Sequence, residues 1–147
     1  MIKREKEMTK EEEEELLLID LCARLPYGLK CHIGYTFNNE TTDGKDVYTE
    51  DDDTITEVNI FLGTVHADYL GECFDIDQIK PYLRPMSSMT KEEKKVYIEI
   101  SSNLCGEIAA KTMIDWLNKY HFDYRGLISK GLALEATEGM YKEYEKV

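Results

Sequence analysis

The chain has 147 residues and a formal net charge of -12 at pH 7, with 42% hydrophobic and 33% charged residues. This size and composition predict a single domain over residues 1–147, with its own hydrophobic core. The negative charge argues against direct binding to nucleic acid or to anionic membranes, because both require a basic surface. We see no secretory signal and no apolar run that could cross a bilayer, so we expect a cytoplasmic protein.

The first predicted element is a helix that begins at Thr9. The sequence Thr9-Lys10-Glu11-Glu12 has the form of a capping box, in which a hydroxyl and a carboxylate satisfy amide groups at a helix start. Pro26 and Gly28 should end this helix. An apolar stripe at helical spacing follows the cap, formed by Leu17, Leu18, Leu21, Cys22 and Leu25.

A strand and then an acidic segment follow the helix. Apolar and polar residues alternate from Leu29 to Phe37, which is typical of a half-buried strand. Between Phe37 and Glu57 there are eight acidic residues and one lysine. We expect the segment 38–53 to be a flexible connection with little regular structure.

The remaining elements are two strands and two helices. Ile55–Leu62 and Thr64–Leu70 are rich in β-branched and aromatic residues, which favours strands. A second capping box at Thr90 should begin a helix, and another helix should run from about Glu107 to Tyr120. The termini should fray. The order predicts an α+β fold, with a small antiparallel sheet of about three strands packed against about three helices.

Six segments of the chain carry a similarity to known sequences: Ile79–Thr90, Asp115–Asn118, Phe122–Ile128, Gly131–Ala136, Glu138–Tyr141 and Leu18–Gly28. Together these segments resemble a family of small uncharacterised proteins encoded by gut Bacteroides-type bacteria, their phages and mobile elements. The resemblance implies a cytoplasmic accessory protein of phage or mobile-element origin, and it implies no activity or catalytic residue. The acidic segment shows the least correspondence.

Two groups of residues are candidates for binding a protein partner. Asp51, Asp52 and Asp53 form an acidic run that suits a basic partner. Tyr124 and Arg125 combine an aromatic ring with a guanidinium, as interface hot spots do. The structural alternative for this second pair is a turn that closes the core, with Arg125 paired to Asp123 or to a helix carboxyl end.

The sequence contains no catalytic or cofactor-binding motif, so we expect neither catalytic residues nor a cofactor. The leading hypothesis is a non-catalytic accessory protein that binds another protein, with a sharper version in which it inhibits a nucleic-acid-binding host protein. The alternative is a small metal-dependent enzyme that uses His66, Asp68 and the carboxylates that follow. A polar sheet face followed by a helix cap explains those residues without a metal.

Overall fold

The computed structural model describes residues 7–103 and 106–141, which form three α-helices and a six-stranded sheet. Residues 1–6 and 142–147 lie outside the described residues. The tail that we expected to fray from Glu138 onward is packed at Tyr141, which is buried and donates to the carbonyl of Tyr82 at 2.7 Å. The helices are α1 (Lys10–Arg24), α2 (Lys91–Asn103) and α3 (Gly106–Lys119). The strands are β1 (Lys30–Phe37), β2 (Val47–Asn59), β3 (Thr64–Ala67), β4 (Cys73–Asp75), β5 (Ile79–Leu83) and β6 (Leu134–Glu135).

The strands lie in the order β4-β3-β2-β1-β5-β6. The first five strands pair antiparallel, and β6 pairs parallel to β5. The α+β class is confirmed, but the predicted sheet of about three antiparallel strands is too small and misses one parallel pair. The strands missed are β4, which has three residues, β6, which has two, and β5, which contains Pro81.

Pro81 is tolerated in β5 because its nitrogen points away from β1. The amide of Ile55 donates to the carbonyl of Leu29, so β1 bonds to β2 through its odd-numbered residues. The even-numbered residues of β1 therefore bond to β5, and the bonded pair is His32 with Lys80. Pro81 occupies a non-bonded position opposite β1. Its lack of an N–H group therefore costs no hydrogen bond to β1.

The acidic segment 38–53 is the largest departure from the expected local structure. Residues from Val47 onward belong to β2, and each pairs with a residue of β1 up to Thr54. The prediction of little regular structure is therefore wrong for 47–53, because pairing with β1, the preceding strand, overrides the low strand propensity of aspartate. The preceding residues form a short 3-10 turn, Glu40–Thr42.

Helix α1 and the C-terminal turns cover one face of the sheet. Both predicted capping boxes are confirmed, since Thr9 bonds reciprocally with Glu12, and Thr90 does so with Glu93. Gly28 ends the 3-10 turn Leu25–Tyr27, which follows α1. Its φ of +66° is a conformation that favours glycine. The most buried apolar side chains are Leu21, Leu29, Cys31, Ile33, Ile55, Val65, Ala67, Leu83, Phe122 and Leu127.

His121 is a buried histidine in the turn that follows α3. Only 2% of the residue is exposed, and its φ of +59° is left-handed. Its Nε2 donates to the carbonyl of Tyr27 at 2.9 Å, and its ring stacks on Tyr141 with centroids 4.0 Å apart. Burial, together with the positive charge of Arg24, lowers the pKa of His121 to about 3. The folded protein therefore holds this imidazole neutral.

We expect the protein to lose stability on mild acidification because of His121. In the unfolded chain the imidazole titrates near its ordinary pKa of about 6.5, so protons bind the unfolded state preferentially below that pH. The contribution of His121 to the free energy of unfolding is complete above about pH 6.5. This contribution should fall by about 2 kcal/mol between pH 7 and pH 5. The measurement is urea unfolding at both pH values.

The matched control is His121→Asn, because asparagine tolerates a left-handed backbone and does not titrate. This variant should be less stable at pH 7 but should lose about 2 kcal/mol less on acidification than the unsubstituted protein. Equal losses in the two proteins would show that His121 is not the group that titrates.

Candidate functional site

The acidic run Asp51–Asp53 does not form one patch, because consecutive residues of a strand point to opposite faces of the sheet. Asp52 lies on the face of the sheet opposite the core, called the open face below, where His32 and Tyr82 contact it. Asp51 and Asp53 point to the face that also carries the core. The structure therefore separates Asp52 from Asp51 and Asp53, which the sequence places side by side.

Asp53 has a structural role in holding the turn between β3 and β4. Its Oδ1 accepts hydrogen bonds from the amides of Thr54 at 2.7 Å and Tyr69 at 3.2 Å. Its Oδ2 accepts from the amide of Leu70 at 2.9 Å. Nearby, Asp51 accepts a bond from the hydroxyl of Tyr35 at 2.7 Å, and this bond raises the pKa of Tyr35.

The open face of the sheet carries a small polar cluster around His32. The imidazole lies 3.2 Å from Oδ1 of Asp52 through Nδ1 and 3.4 Å from Oε1 of Glu50 through Nε2. The hydroxyl of Tyr82 donates to Asp52 at 2.7 Å, and Tyr48 donates to Glu50. Partial burial and the bond to Asp52 raise the pKa of Tyr82 to about 12, so Tyr82 stays protonated at neutral pH.

Tyr124 and Arg125 lie in an internal network. Nη1 of Arg125 contacts Oδ1 of Asp20 at 2.7 Å, and its guanidinium lies over the ring of Tyr124 at 4.6 Å. Tyr124 also donates to Asn118 at 2.8 Å. Arg125 therefore pairs with Asp20 of α1 and not with Asp123, whose carboxylate accepts the amides of two residues in the following turn. A partner-binding role for Tyr124 and Arg125 stays a prediction.

The residues of the metal-dependent alternative do not converge on a site. Nδ1 of His66 lies 3.0 Å from the hydroxyl of Thr56 on the neighbouring strand. Across residues 7–103 and 106–141, no three His, Cys, Asp or Glu side chains are arranged to hold a metal ion. His66, Asp68 and the carboxylates that follow therefore provide no ligand set within the described part of the chain.

A cleft of about 830 Å³ lies between α2, α3 and the segment that follows β6. Its base contains Arg84, whose guanidinium binds both carboxylate oxygens of Glu93 at 2.6 and 2.7 Å and covers the ring of Phe122 at 4.2 Å. Although burial opposes ionisation, the bonds from Arg84 and from the amide of Thr90 lower the pKa of Glu93. The ion pair therefore neutralises the base of the cleft.

Trp116 on α3 forms the aromatic wall of this cleft. Its ring stacks on Phe122 with centroids 5.5 Å apart and planes inclined by 25°. Tyr120, which also lines the cleft, lies 5.5 Å from the same ring. Trp116 is half-buried, so these neighbours fix the orientation of the indole while part of it remains accessible.

Three exposed carboxylates lie on the rim of the cleft. Glu92 extends from α2, and Glu135 and Glu138 flank the opposite side. The one cationic side chain among the lining residues is Arg84, which is already engaged by Glu93. An aromatic wall beside unbalanced negative charge suits a cationic side chain, through cation-π contact and ion pairing.

Sequence reasoning placed Trp116 on a helix face but did not predict the cleft. The relevant signals are four glutamates that come from two segments distant in sequence, and no local pattern associates them. Exposed apolar residues were missed in the same way at the turn between β2 and β3. There Phe61 is fully exposed, and Asn59 rigidifies the turn by accepting bonds from the amides of Leu62 and Gly63.

Comparisons of the chain with protein-family models, with curated proteins and with solved structures gave no match. Among the described residues, no helix combines the length and the apolar character that crossing a membrane requires. The chemistry of the chain is therefore inferred from the geometry of its own side chains.

We expect the two neighbouring aspartates to differ sharply when each is replaced by alanine. Asp53→Ala removes the acceptor of three backbone amides and should lower the free energy of unfolding by about 1–3 kcal/mol. Asp52→Ala removes exposed contacts and should lower it by less than about 1 kcal/mol. Urea unfolding of the two variants measures the difference, and equal effects would contradict the assigned roles.

Proposed function

We propose that the protein is a non-catalytic accessory protein that binds another protein, and that its cleft receives a lysine or arginine side chain from a basic segment of that partner. The single observation that supports this most is the combination of Trp116 with three rim carboxylates, Glu92, Glu135 and Glu138. Lysine and arginine satisfy both parts of such a site, because each has an apolar stem and a cationic end.

The overall charge supports the same class of partner. A net charge of -12 attracts basic surfaces and accelerates their encounter. Many basic protein surfaces bind nucleic acid, and a protein of this charge would compete for them. We therefore propose an acidic inhibitor of a nucleic-acid-binding host protein, and the resemblance to phage and mobile-element proteins supports that setting.

Trp116 provides a direct test because it is the one tryptophan of the chain. An oligo-arginine peptide should change its fluorescence on binding, whereas the same peptide built from citrulline, which keeps the shape but lacks the charge, should not. Binding should weaken as salt rises from about 50 to about 200 mM, since exposed ion pairs are screened. A citrulline peptide that bound equally well would contradict the proposal.

The contribution of the rim is tested by the double variant Glu135→Gln with Glu138→Gln. It should weaken peptide binding about tenfold, which corresponds to about 1.4 kcal/mol for two exposed pairs. The matched control is Glu11→Gln with Glu15→Gln on α1, which changes the net charge equally but lies outside the cleft. Equal weakening in both double variants would indicate general charge attraction and would reject the cleft as the site.

A further inference from the structure

The two longest strands extend beyond their neighbours and leave one edge of β2 open. β2 has thirteen residues, and β1 pairs with it from Val47 to Thr54. On the other side, β3 pairs with β2 only from Ile55 to Asn59. The open edge closes at Thr54, whose carbonyl accepts the amide of Asp68 at 2.9 Å. No described strand pairs with the outer side of Val47–Asp52.

The hydrogen-bonding alternation of the hairpin defines which backbone groups face outward. The bond from the amide of Ile55 to the carbonyl of Leu29 makes these two residues a bonded pair. Bonded and non-bonded pairs alternate in an antiparallel ladder, so Thr49 and Asp51 bond to β1. The alternate residues Tyr48, Glu50 and Asp52 therefore present their N–H and C=O groups to the open side.

The side chains along this edge indicate what could pair with it. Glu50 and Asp52 are exposed on the open face of the sheet, and Asp51 is half-buried on the other face. A strand added to the edge would place its side chains about 5 Å from these carboxylates. A second copy of this chain would place carboxylate against carboxylate, which disfavours self-pairing. A strand of alternating lysine or arginine would instead place opposite charges together.

We propose that the outer edge of β2, from Val47 to Asp52, binds an extended Lys/Arg-rich segment of another protein as an added strand. Backbone bonds to Tyr48, Glu50 and Asp52 supply the pairing, and the carboxylates select basic side chains. The site lies on the β3 side of β2 and shares no residue with the Trp116 cleft, which borders β6. It therefore does not depend on the cleft-binding function proposed above.

Amide hydrogen exchange followed by NMR tests this proposal residue by residue, with the full chain and the acetylated peptide Lys-Val-Lys-Thr-Lys-Val-Lys as the probe. Saturating peptide should slow exchange at Tyr48, Glu50 and Asp52 on the order of tenfold. Exchange at Thr49 and Asp51 should not change, because their amides already bond to β1. Binding without this alternating protection would overturn the proposal, as would the absence of protection at millimolar peptide.

Two controls separate strand addition from simple charge attraction. The same peptide N-methylated at two adjacent central residues keeps its charge but cannot pair in either register, so it should give no protection. The same peptide with glutamine in place of lysine should bind at least about tenfold more weakly. Equal protection by the methylated peptide would reject strand addition, and equal binding by the glutamine peptide would reject the charge selection.

The variant Trp116→Leu distinguishes this site from the cleft. Protection at Tyr48, Glu50 and Asp52 should persist in the variant, because Trp116 lies outside the β1–β2 hairpin. Loss of this protection would show that the cleft is the binding site and would reject the edge. Conversely, failure of the fluorescence test on Trp116 would reject the cleft and leave the edge measurement unaffected.

Discussion

The fully buried pair of Asp20 and Arg24 is the interaction on which the arrangement of the helices depends. Both side chains have no exposed surface, and Nε of Arg24 contacts Oδ2 of Asp20 at 3.0 Å. Arg24 also donates to the carbonyl of Phe122 at 2.6 Å, and Arg125 contacts the same aspartate. A buried charge without partners is strongly destabilising, so α1 and the turn after α3 must dock together. Phe122 is thereby positioned beneath Arg84 and Trp116, and the cleft wall follows from this docking.

The second constraint is the length of β2, which is shared between β1 and β3. Pairing with β3 begins at Ile55, and a register shift follows between Ile55 and Glu57. The half of β2 before that point pairs only with β1, so the hairpin projects beyond the rest of the sheet with an open edge. The cleft borders β6, whereas this edge lies on the β3 side of β2. Both surfaces present negative charge to solvent.

The structure divides the carboxylates into those that stabilise the fold and those exposed to solvent. Asp20, Asp53 and Glu93 bind arginines or backbone amides within the protein. The charges of Asp20 and Glu93 are balanced by arginines, whereas Asp53 binds neutral backbone amides and serves the fold through hydrogen bonds. Glu50, Glu135 and Glu138 are exposed, and they determine the sign of the field at the edge and at the cleft. Net charge alone indicates a basic partner but does not indicate where that partner would bind.

Local sequence patterns determined the helices, the capping boxes at Thr9 and Thr90, and the alternation of β1, because each depends on residues within a few positions of one another. They failed for β5, where Pro81 resembles a strand breaker, and for 47–53, where pairing with β1 overrides aspartate propensity. They also could not separate Asp52 from Asp53, since the face of each residue depends on strand pairing. The cleft and the open edge were decided by tertiary structure alone. The cleft joins segments that are distant in sequence, and the edge is open because β3 pairs only with the second part of β2.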